Sequence, residues 1–233
     1  MAIYKGQTLF GLLVSISISV LLLLVISRFY VFQQKQEQEL ILRLELQNEI
    51  QRVVQLIAKD LRRAGARKLV EGIERDNFFL FKTLDNKFWN LGKDRNELDS
   101  SCIVFLYDFD GNGCVGDGSP RECVKDGKNT VGKIGKNLFG YKLSNNTIKT
   151  RVLYIQRREN DCDINSCKKF LEESSCSSGG WTELLDSEIY GVSYLKFYTI
   201  SNNDGIEISL KGYLLNKPSI MYETSAIVSF LNK

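Results

Sequence analysis

Apolar and polar positions divide the first 65 residues of the chain into three consecutive segments. Residues 1–6 form a short start with one lysine, and residues 6–27 contain no charged side chain. The apolar part, residues 9–26, would span ~27 Å as a helix, close to the ~30 Å hydrocarbon core of a bilayer. This pattern predicts a membrane-spanning helix over residues 7–27.

The residues after this segment favour a span that stays in the mature protein. Secretory signal peptides have a shorter apolar region of roughly 7–15 residues, followed by a small-residue cleavage site. Here Arg28, Phe29, Tyr30 and Phe32 follow, and these residue types are typical of the membrane–water interface. We therefore expect this helix to anchor the protein.

Three small residues share one face of the predicted span. Gly11, Ser15 and Ser19 recur at every fourth position, and such a stripe lets a second helix approach closely within a membrane. Serine is also tolerated in spans without any such role. The stripe nevertheless indicates a helical partner, and these residues are our candidates for helix packing.

A second apolar stripe continues the helical pattern over residues 28–65. Its members recur at steps of three or four: Leu42, Leu46, Ile50, Val53, Ile57, Leu61 and Ala64. The opposite face is charged, and Gly65 is placed to end the helix. One continuous helix would carry the span in its first half and present an apolar face to a folded domain in its second half. A coiled-coil dimer would show the same stripe.

Residues 66–233 change to short strands and polar loops, with the clearest strands near the carboxyl end. "YGVSYLKFYTI", "GIEISLKGYLL" and "YETSAIVSFL" have strand composition, and an Asn-Asn-Asp-Gly turn separates the first two. An antiparallel sheet laid on the second stripe would bury both apolar faces. The sequence thus predicts an α+β fold, in which a long amino-terminal helix packs on an antiparallel β-sheet.

All six cysteines lie in the middle of the chain: Cys102, Cys114, Cys123, Cys162, Cys167 and Cys176. A disulfide framework in an oxidising compartment is the favoured interpretation, with fifteen pairings open. The alternative is a metal cluster, but no C-x-x-C pair occurs and the spacings match no zinc or iron–sulfur pattern. We expect bridges to tie down the loops of residues 102–176.

Composition argues against an enzyme. The net charge is only +3, so no global field favours nucleic acid or acidic substrates. Histidine is absent, which removes the usual general base and the commonest metal ligand. We therefore expect no catalytic residues.

One loop is similar to the opening of a calcium-binding loop. In "DFDGNG", Asp108, Asp110 and Asn112 occupy alternate positions before a glycine, as oxygen ligands do in EF-hand loops. The twelfth position is Ser119 instead of a bidentate glutamate, and Asp117 is the nearby substitute. The alternative is an ordinary turn at a hairpin tip. Ca²⁺ is the one cofactor that the sequence suggests, with these four Asp and Asn residues as ligands.

Four stretches resemble a known protein family. "KGQTLFGLLVSISISVLLLL" is similar to the amino terminus of type IV pilin-like proteins, in which a short basic leader ends in glycine before an apolar helix. "AKDLRRAG", "YDFDGNG" and "CSSGGWTELLDSEIYGVSYLKFYTI" resemble, in order and rough spacing, the minor pilins called prepilin peptidase-dependent protein B. That family is related to the J-type minor pseudopilins of type II secretion, and to the W-type minor pilins.

The resemblance implies a maturation step and a place in the cell. A prepilin peptidase would cleave after Gly6 and methylate the new amino terminus at Gln7, which makes residues 1–6 a leader. The span would lie in the inner membrane with its amino terminus cytoplasmic, and residues 66–233 would form a periplasmic domain. Implied partners are other minor and major pilins or pseudopilins, the prepilin peptidase and the inner-membrane assembly platform. Related pseudopilins bind calcium.

The implied function is that of a minor pilin or pseudopilin. Such a subunit would help to initiate or cap assembly of a type IV pilus, a DNA-uptake pilus or a type II secretion pseudopilus. Gln7 departs from the usual Phe or Met, and Gly11 from the usual Glu, of the family pattern. In the family that glutamate pairs with a neighbour's amino terminus, and tip subunits can lack it, so we hypothesise a place at or near the filament tip.

Two other interpretations stay open. The chain could be a signal-anchored periplasmic domain with a ligand-binding or adhesin-like role. A basic cluster at the end of the predicted helix also leaves contact with DNA or a surface open: Arg62, Arg63, Arg67 and Lys68.

Overall fold

The computed structural model describes residues 9–69, 76–94, 97–117, 122–132, 134–151, 162–173, 176, 180–200 and 205–230. Gly6, Gln7 and Ser119 lie outside the described residues. The chain divides into two compact units, Met1–Glu45 and Leu46–Lys233. Helix α1 (Leu9–Leu61) contributes to both, and it runs on because no glycine or proline occurs at residues 12–61.

The second apolar stripe of α1 forms the core of the second unit. Its inward residues have no exposed surface: Leu46, Ile50, Val53, Ile57 and Leu61. Gly65 lies just past the helix end with a φ of 74°, a left-handed conformation that glycine adopts without strain. Its N–H donates to the carbonyl of Leu106 at 2.8 Å. Burial within its own chain accounts for the stripe without a coiled-coil partner.

The remaining elements are ten strands and a short helix among the described residues. The strands are β1 (Trp89–Gly92), β2 (Cys102–Leu106), β3 (Val124–Lys125), β4 (Lys128–Asn129), β5 (Leu138–Ser144), β6 (Thr147–Arg151), β7 (Trp181–Glu183), β8 (Tyr190–Ile200), β9 (Gly205–Leu214) and β10 (Lys217–Ser229). Helix α2 (Ile164–Glu173) precedes β7, and 3₁₀ turns occupy Phe78–Phe81 and Ile134–Asn137.

The strands pair antiparallel in three sheets. A five-stranded sheet has the order β1-β2-β5-β6-β7, a three-stranded sheet has the order β10-β9-β8, and β3 and β4 form a hairpin. The three strands predicted at the carboxyl end form the second of these sheets.

The three-stranded sheet packs on α1. A Cβ added to Gly212 would lie 2.3 Å from Ile50 Cδ1, so the helix approaches β9 as closely as a glycine permits. Gln51 Nε2 also donates to the Tyr222 hydroxyl at 2.7 Å. The inward face of β9 is fully buried at three positions: Ile206, Ile208 and Leu210. The predicted α+β arrangement is therefore confirmed.

The last turn of α1 is tied to the five-stranded sheet by one short hydrogen bond. The Tyr141 hydroxyl on β5 donates to Asp60 Oδ2 at 2.5 Å. Burial, the hydrogen bond and the charge of Asp60 all raise the pKa of Tyr141 well above its usual range. The phenol therefore stays protonated, and its hydrogen bond to Asp60 joins the helix to the sheet.

Three disulfides confirm the predicted tying of the loops. Their pairings are Cys102–Cys176, Cys114–Cys123 and Cys162–Cys167, with sequence separations of 74, 9 and 5 residues. The longest bridge fastens β2 to the segment before β7. Gly92 on β1 makes room for it, because a Cβ there would lie 2.8 Å from the Cys176 sulfur.

We expect that replacing Cys102 and Cys176 together by alanine will destabilise the domain more than the same double replacement at Cys162 and Cys167. Closing a longer loop removes more entropy from the unfolded chain, about 4.5 kcal/mol for the first bridge against about 2 kcal/mol for the second. Urea unfolding of both double variants without reductant measures the two losses. Equal losses would show that packing around the sulfurs, and not loop closure, decides their contribution.

Candidate functional site

The first unit presents an apolar surface that no other described residue of the chain covers. We call residues 9–32 of α1 the amino-terminal apolar surface. Its large apolar side chains are exposed, from 81% for Leu9 to 42% for Val14. Among the described residues, α1 is the one helix long and apolar enough to cross a membrane. Continuous apolar exposure of this extent marks a surface made for lipid or for other apolar helices.

The hydroxyl groups of three serines within this surface are satisfied by the helix itself. Ser15 Oγ donates to the carbonyl of Gly11 at 2.9 Å, and Ser19 Oγ donates to that of Ser15 at 2.8 Å. Ser17 makes the same bond to Leu13. These three serines can therefore enter hydrocarbon without an unpaired donor.

The small-residue stripe of Gly11, Ser15 and Ser19 is thus a shallow face with no free hydroxyl proton. Such a face suits close approach by a second helix through van der Waals contact. Its role in helix packing stays a prediction. Beyond the surface, exposed polar pairs begin, such as Arg43 with Glu39 at 2.7 Å.

The first aspartate of the acidic loop binds backbone amides. The Asp108 carboxylate accepts hydrogen bonds from the N–H groups of Gly111, Asn112 and Gly113 at 2.9–3.2 Å. It accepts a fourth from the N–H of Lys68 at 3.1 Å. Asp108 therefore closes its own turn and fastens that turn to the segment that follows α1.

The other predicted calcium ligands divide into two sets. Asn112 Nδ2 donates to Asp110 Oδ2 at 3.0 Å, close to Asp108, whereas Asp117 pairs with Lys136 at 3.3 Å. Burial and the neighbouring Asp108 raise the pKa of Asp110. The described residues contain no group of three or more His, Cys, Asp or Glu side chains placed to hold a metal. Calcium binding stays a prediction.

The predicted basic cluster is partly engaged within the domain. Arg67 pairs with Asp76 at 3.0 Å and lies over the ring of Phe78. The guanidinium of Arg63 lies 5.9 Å from the ring centre of Tyr107. These contacts give the two arginines a structural role at the helix end.

The buried lysine Lys142 was not predicted from the sequence. Lys142 Nζ donates to the carbonyl of Cys176 at 2.7 Å and pairs with Asp94 at 2.8 Å. It also lies 4.9 Å from the Trp181 ring centre. Its charge is thus paired and hydrogen-bonded beside the longest disulfide. No local pattern indicates this, because its partners come from distant parts of the chain.

Comparison with known proteins identifies the family. The family described as Prepilin peptidase-dependent protein B matches residues 39–230. The chain belongs to this family. It is also 44% identical over 232 residues to an uncharacterized protein of Haemophilus influenzae, covering 98% of this chain and 97% of that one. No solved structure matches.

Membership of the prepilin peptidase-dependent protein B family agrees with the geometry. The family match begins at residue 39 and covers the second unit as far as residue 230, while the Haemophilus relative also matches the apolar amino terminus. The chain is therefore a pilin-like protein linked by its family to prepilin processing. Its described residues include one helix that could span a membrane.

Calcium is expected to raise the melting temperature of the protein if the acidic loop binds the ion, and Asp110→Ala should abolish that rise. Asp110 suits this test because its carboxylate binds the side chain of Asn112, whereas Asp108 holds the backbone of the turn. Thermal unfolding with millimolar Ca²⁺ or with a chelator measures the shift. An unchanged melting temperature of the natural protein would end the calcium assignment.

Proposed function

We propose that this chain is a minor pilin or pseudopilin that helps to initiate or cap assembly of a type IV pilus, a DNA-uptake pilus or a type II secretion pseudopilus. One observation carries the proposal. A single helix, α1, is apolar and exposed over residues 9–32, yet forms the core of a folded unit over residues 46–61. A helix of this kind can serve as a spine that slides from lipid into a bundle of similar helices.

The steps of this function follow from the chemistry of each segment. A prepilin peptidase removes residues 1–6 on the cytoplasmic side and methylates Gln7. The apolar surface then holds the subunit in the inner membrane until the stripe of Gly11, Ser15 and Ser19 meets a neighbouring helix. Three disulfides suit a domain that folds in the oxidising periplasm. The partners are other pilins or pseudopilins and the assembly platform.

A ligand-binding role receives less support from the second unit. A pocket of about 290 Å³ is lined by residues of the β1 region and by Glu172, a volume near the lower limit for small-molecule sites. Its charged groups have partners within the protein: Lys87 pairs with Asp85, and Glu172 accepts the N–H of Leu84. We assign the protein no catalytic role.

The mature chain isolated from its native cell is expected to begin at Gln7 with a methylated amino terminus. Mass spectrometry of the intact protein measures the start, and also the loss of two hydrogens for each disulfide. Gly6→Leu should leave the leader attached, since the peptidase of this family cleaves after the glycine, whereas Ala2→Leu in the leader should not interfere. A start beyond Phe32 would indicate ordinary signal cleavage and would refute the proposal.

Gly11→Glu tests the place at the filament tip. A tip subunit has no preceding neighbour whose amino terminus needs a carboxylate, so the change is expected to leave incorporation unchanged or slightly reduced. Gly11→Gln serves as the uncharged control of similar size. Subunit content is measured in sheared filaments by immunoblot. Better incorporation of the Glu variant would contradict the tip position.

A further inference from the structure

The outer strand of the three-stranded sheet has one free edge. Strand β10 is 13 residues long and pairs only with β9. At the opposite edge of the sheet, β8 is covered by other backbone segments. Phe197 N–H donates to the carbonyl of Ser100 at 2.9 Å, and Val192 N–H donates to that of Asn146 at 2.8 Å. Within the described part of the chain, β10 is therefore the open edge of this sheet.

Alternation along the strands identifies which groups of β10 face outward. Phe197 stands opposite Ile208, and it uses its N–H on the side away from β9. The backbone of Ile208 must then point toward β10, where its register partner is Ala226. Because direction alternates with each residue, the N–H and C=O groups of the odd-numbered residues on β10 point away from the sheet.

The outward row is long, regular and exposed. It comprises Met221, Glu223, Ser225 and Ile227, of which Met221 is 55% and Ile227 65% exposed. Proteins usually protect such an edge with lysine, proline or a bulge. Here Lys217, Pro218 and an irregular register occur only at the beginning of the strand. A bare edge with this pattern is a template for another strand.

A symmetric pairing of two β10 strands does not fit this edge. Two antiparallel β10 strands related by a two-fold axis would join their sheets into one, with the axis perpendicular to it. Since α1 packs on that sheet through Ile50 and Gln51, the axis would point the two helices in opposite directions. The proposed helix bundle needs helices that run in the same direction, so this symmetric contact does not suit the proposed function.

The charge of the row indicates what kind of strand would fit. Glu223 accepts a hydrogen bond from Tyr194 and has Lys211 at 3.8 Å. Glu207 stands opposite Ile227 on the same face. On the same face Lys196 stands opposite Ser209, so two carboxylates and two ammonium groups share it. Within the outward row, Glu223 is thus the charged side chain between two exposed apolar side chains. A complementary strand would place apolar residues beside Met221 and Ile227, and a lysine or arginine between them.

We infer that the open edge of β10 binds the edge strand of a different pilin-like subunit, anchored in the same membrane, through the backbone groups of Glu223, Ser225 and Ile227. This inference rests on the proposed function for the identity of the partner. The helix bundle then joins subunits within the membrane, and strand addition joins them outside it. Strand pairing at this edge fixes the direction and the register of the contact, whereas an apolar helix face fixes neither.

Ser225→Pro in the full-length chain tests the docking edge. The N–H of Ser225 points outward, so proline removes a donor that β9 does not use and leaves the fold intact. Ser225→Ala keeps the N–H and is the matched control. A photoreactive benzoyl-phenylalanine at position 227 reports contact in native membranes, and mass spectrometry identifies the partner and the cross-linked residues.

The expected result is a cross-link from position 227 to an extended segment of another pilin-like subunit. Ser225→Pro should reduce its yield about tenfold, because it removes a hydrogen bond and adds a clash, whereas Ser225→Ala should retain it. Equal yields in the two variants, a cross-link to a second copy of this chain, or no cross-link would overturn the inference.

Two further measurements separate this inference from the proposed function and from misfolding. Protease resistance of the second unit should be the same in the proline and alanine variants, and a drop in the proline variant alone would overturn the assignment of the outward N–H. A start at Gln7 in all variants, together with equal cross-linking, would reject the docking edge while the pilin function stands. A natural chain that keeps its leader would reject the pilin function itself.

Discussion

The close contact between residues 46–61 of α1 and the three-stranded sheet is the constraint on which the rest of the structure depends. Ile50 fills the space that Gly212 leaves, and neither the helix nor the sheet could otherwise bury its apolar face. Because this contact uses the second stripe of α1 within the chain, the apolar side chains of the amino-terminal apolar surface are the ones that stay exposed along the described helix up to residue 32. One helix thereby buries one surface in the fold and leaves another exposed.

Side chains that bind backbone groups, together with disulfides, organise the loops between β2 and β5. Asn77 holds both the N–H and the carbonyl of Val115, and Asn137 binds the N–H of Gly116 and the carbonyl of Tyr107. The local apolar cluster there is small, with Val131 beside one bridge. Asp108 acts in the same way on its own turn, which gives the acidic loop a structural role whether or not it binds a cation.

The candidate site was predictable to different degrees from the sequence. The amino-terminal apolar surface was predictable, because a membrane span is a property of consecutive residues and does not depend on residues far away in the chain. The turn at Asp108 was predictable as a turn, but its bond to Lys68 was not. The buried charge of Lys142 was invisible, since its partners Asp94 and Cys176 lie far away in the chain. Local patterns therefore indicate segments but not the contacts between them.

The sequence by itself determined the long helix, its two apolar stripes, the last strand from residue 222 onward and the use of cysteines as bridges, because period, composition and redox chemistry are local properties. Only the tertiary structure decided which cysteines pair, that Gly212 receives Ile50, and that β8 is covered while β10 is open. Strand order depends on which faces and edges meet in space, and a strand with one neighbour has the same alternating pattern as a strand with two.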